Sequence, residues 1–344
     1  MPPAAPLPAP RATLRLDARE SAAGQGAIEA AAQIIAAGGL VAFPTETVYG
    51  LGADAGNPRA VAGVYAAKGR PAFNPLIAHV PHLEAAAALG EMTPAARLLA
   101  QAFWPGPLTL VLPCLDTDAV CELARAGLDT LAVRVPAHPV ARTFLEAAGR
   151  PVVGPSANRS GHVSPTDAAH VLNDLSGRID AVLDAGPSPV GVESTIVDCS
   201  GPEPRLLRPG GLSRDRLEAV LGHPLPDAQD EDEARPQSPG RLASHYAPRA
   251  TIRLQADDVR PGEALLTFGG RRPPGSEAAR LILDLSPAGT LEEAAANLYA
   301  ALRRLDAEGV DAIAVVPLPR EGLGEAIADR LSRAAAPRPV PEGD

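Results

Sequence analysis

Apolar residues fall into short runs separated by glycine, proline and small polar residues, and their spacing predicts alternating helices and strands. From Gly26, the segment AIEAAAQIIAAGG has helical spacing and stops at Gly38 and Gly39. The apolar run at 40–43 then reads as a buried strand ended by Pro44. Asn57 and Pro58 form an N-cap and first-turn pair for a helix running to about Lys68 and stopping at Gly69. Further strands are expected at 76–80, 108–112, 131–135, 152–153, 181–183 and 195–197, with helices between several of them. Some connections are too short for parallel crossovers, so the order implies an α/β fold with a mixed sheet.

The pattern breaks at 226–240, where PDAQDEDEARPQSPG is acidic, proline-rich and without periodicity, a linker signature. Beyond it, strands at about 264–268 and 281–285 precede a helix opened by Thr290, with Glu293 at capping-box spacing. A strand at 312–316 and a last helix, GEAIADRLSRAA, complete a βαβα order that predicts a smaller, parallel-sheet domain. The division is a disordered Pro/Ala tail at 1–12, a first domain at 13–225, a linker at 226–248 and a second domain at 249–344, with PRPVPEGD frayed at its end.

Composition narrows the class. Of 344 residues, 46% are hydrophobic and 21% charged, which excludes a wholly disordered chain. A net charge of −10 argues against a general nucleic-acid coat protein and leaves a local basic site open. Cys114, Cys121 and Cys199 lack paired short spacing, so neither a disulfide framework nor a zinc site is expected, and a cytoplasmic setting fits. MPPAAPLPAPR has no secretion-signal pattern, and no uncharged apolar run reaches the roughly 18 residues of a membrane span. One bias stands out: of 31 basic residues a single one, Lys68, is lysine.

Familiar nucleotide and nucleophile fingerprints are missing. There is no Gly-Lys-Ser/Thr, Gly50-Leu-Gly52 and Gly322-Leu-Gly324 lack a third glycine, and Ser156 has no nucleophile elbow. His79 and His82 have Pro81 between them and do not read as a metal pair. What remains is a set of polar clusters where apolar strands end. PTETVYGLG (44–52) carries two hydroxyls, a carboxylate and two glycines, and an ordinary turn is its competing reading. Lys68 and Arg70 flank a glycine at a loop mouth, either as complements to a helix dipole or as a grip on phosphates. Alternation in TLAVR places Thr130, Ala132 and Arg134 on one face. An arginine in an apolar strand needs an anion, supplied by a ligand or by a structural Asp or Glu. The loop GPSANRSG (154–161), Ser164, Glu193-Ser194-Thr195 and Arg208 add hydroxyl and guanidinium donors, while Trp104 and the cysteines read as packing residues. Many donors without a covalent nucleophile suit a site that aligns a phosphorylated substrate with a small carboxylate.

PTETVYGLG, KGRPAFNPLIAHV (68–80), FWPGPLTLVL (103–112), AVRVPAHP (132–139), GPSANRSG, VESTIVD (192–198) and LLRPG (206–210) together resemble the bacterial and archaeal threonylcarbamoyl-AMP synthases over about residues 13–225. HYAP (245–248) and the region C-terminal to it resemble the linker and Rossmann-like accessory domain of the two-domain members. The resemblance implies that L-threonine, bicarbonate and ATP, with Mg²⁺, give threonylcarbamoyl-adenylate and pyrophosphate, and that a downstream threonylcarbamoyl transferase complex moves the product group to a tRNA adenosine beside the anticodon. An RNA contact stays open, and no membrane partner is expected because no apolar run is long enough to span one. By matching position, Thr47, His79, Arg134, Gly154 and Ser194 resemble the threonine-holding residues. Lys68, Arg70, Asn74, Thr130, Ser156, Asn158, Ser164 and Arg208 resemble the ATP contacts, with His245 and Tyr246 from the linker motif and Lys68 and Arg70 helping pyrophosphate to leave. The linker departs from the family pattern at Arg241, Leu242 and Ala243. A carbamoyl transferase built on a similar domain and an RNA-binding regulator are the alternative readings.

Overall fold

The computed structural model describes residues 12–19, 21–71, 74–228 and 245–337. The tail up to residue 11, most of the predicted linker (229–244, including the departures at 241–243) and the end from 338 lie outside the described residues.

Ten strands form one mixed sheet: β1 (Leu14–Asp17), β2 (Val41–Phe43), β3 (Gly50–Asp54), β4 (Ile77–His79), β5 (Leu108–Pro113), β6 (Thr130–Arg134), β7 (Val152–Val153), β8 (Ala181–Asp184), β9 (Thr195–Asp198) and β10 (Arg205–Arg208). Their spatial order is β1-β8-β2-β3-β7-β4-β6-β5-β9-β10. Parallel pairs such as β4–β6 and β5–β9 alternate with antiparallel ones such as β5–β6, as the mixture of long and short connections requires. A second, all-parallel sheet is built from β11 (Thr251–Arg253), β12 (Ala264–Thr267), β13 (Ile282–Asp284) and β14 (Ala312–Val315) in the order β11-β14-β12-β13. The expected α/β class, with a mixed sheet and a smaller parallel one, is what forms.

Strand alternation divides the large sheet's neighbours. One face, carrying Ala42, Ala78, Leu110, Leu131, Val133 and Val197, is buried in a core with helices Pro58–Lys68, Pro94–Phe103 and Ala168–Leu175. On the other face, helices Ser21–Ala36 and Pro139–Ala148 cover Val41, Phe43, Val152, Ala181 and Leu183. Neither helix extends over the rest of that face, where only a short apolar strip, Ile77, Val111, Ala132, Ile196 and Leu207, packs together. The polar strand ends converge beside this strip.

Asn57 caps its helix by accepting from the backbone amides of Arg59 and Ala60, and Gly69 closes it in the left-handed conformation, as its sequence predicts. Four strands escaped the sequence reading: β1, β3, β10 and β11. In β3 two glycines masked the strand pattern, because backbone close approach and turns use the same residue. The predicted capping box at Thr290 does not form. The Thr290 backbone amide instead donates to Ser286 Oγ, whose hydroxyl in turn donates to Glu293, so the cap comes from four residues upstream.

Candidate active site

Parallel pairing of β4 with β6 sets His79 beside Arg134, and antiparallel pairing with β5 sets Thr109 on Arg134's other side. Thr109 Oγ1 shares a 2.8 Å hydrogen bond with Ser194 Oγ at the start of the β9 segment. Register alone thus lines up His79, Arg134, Thr109 and Ser194 from positions far apart in the chain. Arg134 donates through Nη1 to Thr47 Oγ1 (2.9 Å), through Nη2 to Glu46 Oε1 (2.6 Å) and through Nε to Gly106 O (3.4 Å). The anionic partner that its burial demands is therefore Glu46, which also accepts from the Ala137 amide (3.1 Å). Its second Nη hydrogens remain to meet a ligand carboxylate. Glu46 stood in the sequence as one polar residue of a turn, with nothing to mark its pairing.

His79 packs edge-on against Phe43 with ring centroids 5.5 Å apart, and burial, reinforced by Arg134, pushes its imidazole down to about 3. A Cβ on Gly154 would stand 2.8 Å from the His79 ring and 3.0 Å from Phe43, so only glycine lets the 154–161 loop approach.

A second group of cations lies deeper in that loop. Lys68 Nζ donates to the carbonyls of Ser156 (2.5 Å) and Asn158 (2.6 Å), and burial, with Arg70 adding to it, holds its pKa well below the usual value. Arg70 donates to Pro75 O (3.2 Å), and burial lowers it to about 10. Neither has a carboxylate partner among the described residues. Around them Arg70 Nε, Asn74 Oδ1, Asn158 Oδ1 and His245 Nδ1 are buried without a hydrogen-bond partner among the described residues. Buried basic groups and orphaned polar atoms are expensive unless a ligand meets them: Lys68 and Arg70 call for an anion, whereas the two amide oxygens call for a hydrogen-bond donor such as a hydroxyl or amino group.

Arg208 donates to Ser194 O (2.9 Å) and Ser194 Oγ (3.3 Å). Ser164 Oγ donates to Glu193 Oε1 (2.6 Å). His245 and Tyr246 close the cavity from above, Tyr246 buried in a left-handed conformation at φ 61°. Burial pushes His245 down to about 3. Thr47, Arg70, His79, Arg134, Gly154, Ser156, Ser194, Arg208, His245 and Tyr246 line the same small cavity of about 40 Å³. Lys68 and Asn158 back it through the contacts above, and Asn74, whose main-chain carbonyl accepts from Tyr65 OH (3.0 Å), is buried outside its lining. Thr130 does not line it: it pairs with Pro113 at the opposite end of β6, about 13 Å along the strand from Arg134. His82 caps the helix Leu83–Leu89 rather than joining His79, and among the described residues no three His, Cys, Asp or Glu side chains cluster as a metal site. Trp104 Nε1 donates to Leu108 O (2.7 Å), the structural role its proline turn suggested.

A buried, cationic cavity at strand ends, with hydroxyls and backbone carbonyls but no nucleophile–base pair, defines an enzyme that aligns a phosphorylated substrate by charge and hydrogen bonds, in keeping with nucleotidyl transfer. The Sua5–YciO–YrdC family model, described as telomere recombination, matches residues 33–210, and the model for the C-terminal domain of threonylcarbamoyl-AMP synthase matches 212–336. The chain is 42% identical over 327 residues to threonylcarbamoyl-AMP synthase of Bacillus subtilis, covering 91% of this chain and 94% of that protein. It is 43% identical to the Pyrococcus abyssi protein of the same name, covering 90% and 94%. The crystal structure of P. abyssi Sua5 complexed with L-threonine matches with a TM-score of 0.84 at 38% identity, over 94% of this chain and 97% of that one. The chain belongs to the threonylcarbamoyl-AMP synthase family and is a nucleotidyltransferase.

Proposed function

We propose that the chain forms threonylcarbamoyl-adenylate and pyrophosphate from L-threonine, bicarbonate and ATP, the first step of threonylcarbamoyl modification of tRNA adenosine. The observation that carries this reading is the pair of buried basic residues, Lys68 and Arg70, which have no carboxylate partner among the described residues. Threonine is held by Arg134 at its carboxylate, with Thr47, His79, Ser194 and the Gly154 backbone around it. His79, neutral at physiological pH, accepts or donates a hydrogen bond without adding charge. The amine adds to the carbon of carbon dioxide with loss of a proton, or condenses with bicarbonate with loss of water, and an oxygen of the resulting carbamate attacks the α-phosphorus of ATP in line. The bond from the α-phosphorus to the bridging oxygen breaks, and pyrophosphate departs with the charge that Lys68, Arg70 and Arg208 stabilise. No side chain becomes covalently attached.

The apolar strip between Arg134 and Thr130 gives the nucleotide a surface to lie along, so that a long substrate reaches Thr130 where threonine does not. The cavity of about 40 Å³ is far smaller than the roughly 300–1,000 Å³ of small-molecule sites. His245 also borders an outer cavity of about 840 Å³ reached past Gly69, Pro71 and Arg159. His245 lines both cavities and Tyr246 the inner one, which supports reading this segment as the lid of the nucleotide site. The donor set does not build a protein site for Mg²⁺: Glu46 and Glu193 are committed to arginines. The ion comes with the triphosphate as part of the substrate. Transfer onto tRNA falls to a downstream complex.

Pyrophosphate release from ATP, measured with threonine and bicarbonate supplied separately and together, tests the reaction. Release only when both are present is expected. Release independent of threonine would sink the reading.

A further inference from the structure

Glu193 lies beside Ser194 in the large sheet's domain, yet it is buried against the smaller domain. Its Oε2 accepts from Tyr299 OH (2.8 Å) and Arg330 Nε (2.7 Å), while its Oε1 accepts from Ser164 (2.6 Å). Arg330, fully buried, also donates through Nη2 to Pro209 O (3.0 Å) and through Nη1 to Asp329 (2.5 Å), and its guanidinium lies 5.1 Å from the Tyr246 ring centroid. One side chain of the accessory domain therefore touches the residue before Ser194, the residue after Arg208, and the lid. Burial pushes the Glu193 carboxyl up, and Arg330, Arg208 and the Ser164 hydroxyl more than reverse it, to about 2. Arg208, bonded to the carbonyl of Ser194 next in the chain, lines the same small cavity as this carboxylate.

We propose that Arg330 is a positioning residue for the nucleotide end of the site: by satisfying Glu193 across the domain seam it keeps that carboxylate from drawing Arg208 away from its Ser194 contacts and from ATP. The inference rests on the ATP-binding reading above. It assigns the accessory domain a larger role in nucleotide affinity than in threonine affinity, because Arg134 is satisfied within the large sheet by Glu46 and the Ser194 hydroxyl keeps its own bond to Thr109.

Docking of the two domains has independent clasps, so loss of Arg330 leaves it in place. Arg303 pairs with Asp174 (2.9 Å) and Arg214 with Glu325 (2.5 Å). At Gly191, φ 77°, a Cβ would come 2.4 Å from Ala295 O, so the two domains meet backbone to backbone.

The test is ATP and threonine affinity by calorimetry on the full-length chain, for wild type, Arg330→Met, Arg330→Lys, Glu193→Gln and the Arg330→Met/Glu193→Gln double variant. Arg330→Met is expected to weaken ATP binding at least about tenfold with threonine affinity within about twofold, and the double variant to recover most of the loss, since removing the carboxylate removes its pull on Arg208. Arg330→Lys keeps the charge without the fork and is expected to fall between wild type and Arg330→Met. Unchanged ATP affinity in Arg330→Met overturns the proposal. So does a double variant no better than Arg330→Met, or an equal fall in both affinities, which marks general loosening. Should Arg330→Met not fold, Arg330→Lys compared with Arg330→Lys/Glu193→Gln makes the same cycle, and no gain in the double variant overturns the proposal. Binding is read without turnover, so a wild type that binds ATP but makes no pyrophosphate sinks the proposed reaction and leaves this comparison standing. A wild type that binds no ATP sinks both.

Discussion

Two buried arginine–carboxylate pairs frame the site and differ in kind. At the end proposed for threonine Arg134 and Glu46 belong to the large sheet and its loops, and the arginine itself lines the cavity. At the nucleotide end Glu193 belongs to the large sheet's domain, and its partner Arg330 comes from the accessory domain and acts through neighbours. The chemistry is the same in both places, and a buried pair costs desolvation that only good geometry offsets. The difference teaches that the end proposed for threonine is built within one domain, whereas at the end proposed for the nucleotide a buried carboxylate is satisfied from the other.

Arg134→Met should have the largest effect. Breaking a buried pair costs about 3–5 kcal/mol of stability. Threonine-dependent kcat/KM should fall by at least about a hundredfold, because ligand and Glu46 both lose their charge partner. The double variant Arg134→Met/Glu46→Gln should regain stability in urea melts without regaining threonine affinity, the reverse of what Arg330→Met/Glu193→Gln should do. Recovery of threonine affinity would erase the distinction between the two ends.

Lys68→Arg comes next. A larger, planar head in the slot between the Ser156 and Asn158 carbonyls overpacks the loop, and turnover should drop by about two orders of magnitude. Arg304→Lys, on the exposed side of the helix Leu291–Ala307, should leave turnover unchanged. Equal, neutral outcomes would make the single lysine an accident of composition.

Acid should act on both ends at once. His79 and His245 are held near 3 when folded, against an ordinary 6.5. Below that ordinary value the unfolded chain binds protons that the folded chain does not, so stability falls as pH drops from 6.5 towards 3. Each ring contributes about 1.4 kcal/mol per pH unit within that window. His79→Phe and His245→Phe should each flatten the slope, measured by denaturant unfolding across the range. Identical slopes in wild type and both variants would show that neither ring is buried neutral.

The smallest effect is expected away from both pairs. Ser286→Ala, which removes the hydroxyl that accepts from the Thr290 amide, should cost about 1 kcal/mol. ATP affinity should not change, because the cap does not touch the seam. A fall in ATP affinity would mean that accessory-domain stability in general, and not Arg330 in particular, governs the nucleotide end.

Much of this architecture could be read from local pattern. Apolar runs bounded by glycine and proline marked most strands, because a buried strand needs little beyond side chains suited to both faces. The Asn57–Gly69 helix was legible at both ends, since caps are local hydrogen bonds between near neighbours. Clusters of donors at strand ends, the absence of a nucleophile motif and the family resemblance pointed together to aligned substrates. The glycine-interrupted β3 was hidden, and Thr290 misled, because a nearby serine competed for the same amide.

By itself the sequence determined the strand and helix periods, the two-sheet plan, the residues available to bind anions and, through its motifs, the family. Only the tertiary structure decided the partners: that Arg134 faces Glu46, that Lys68 clips two backbone carbonyls, that Thr130 stands away from the small cavity, and that Arg330 meets Glu193. The reason is physical. Local structure follows from contacts between near neighbours, whereas a buried charge is satisfied by whatever the fold brings alongside, here across separations of 88 and 137 residues.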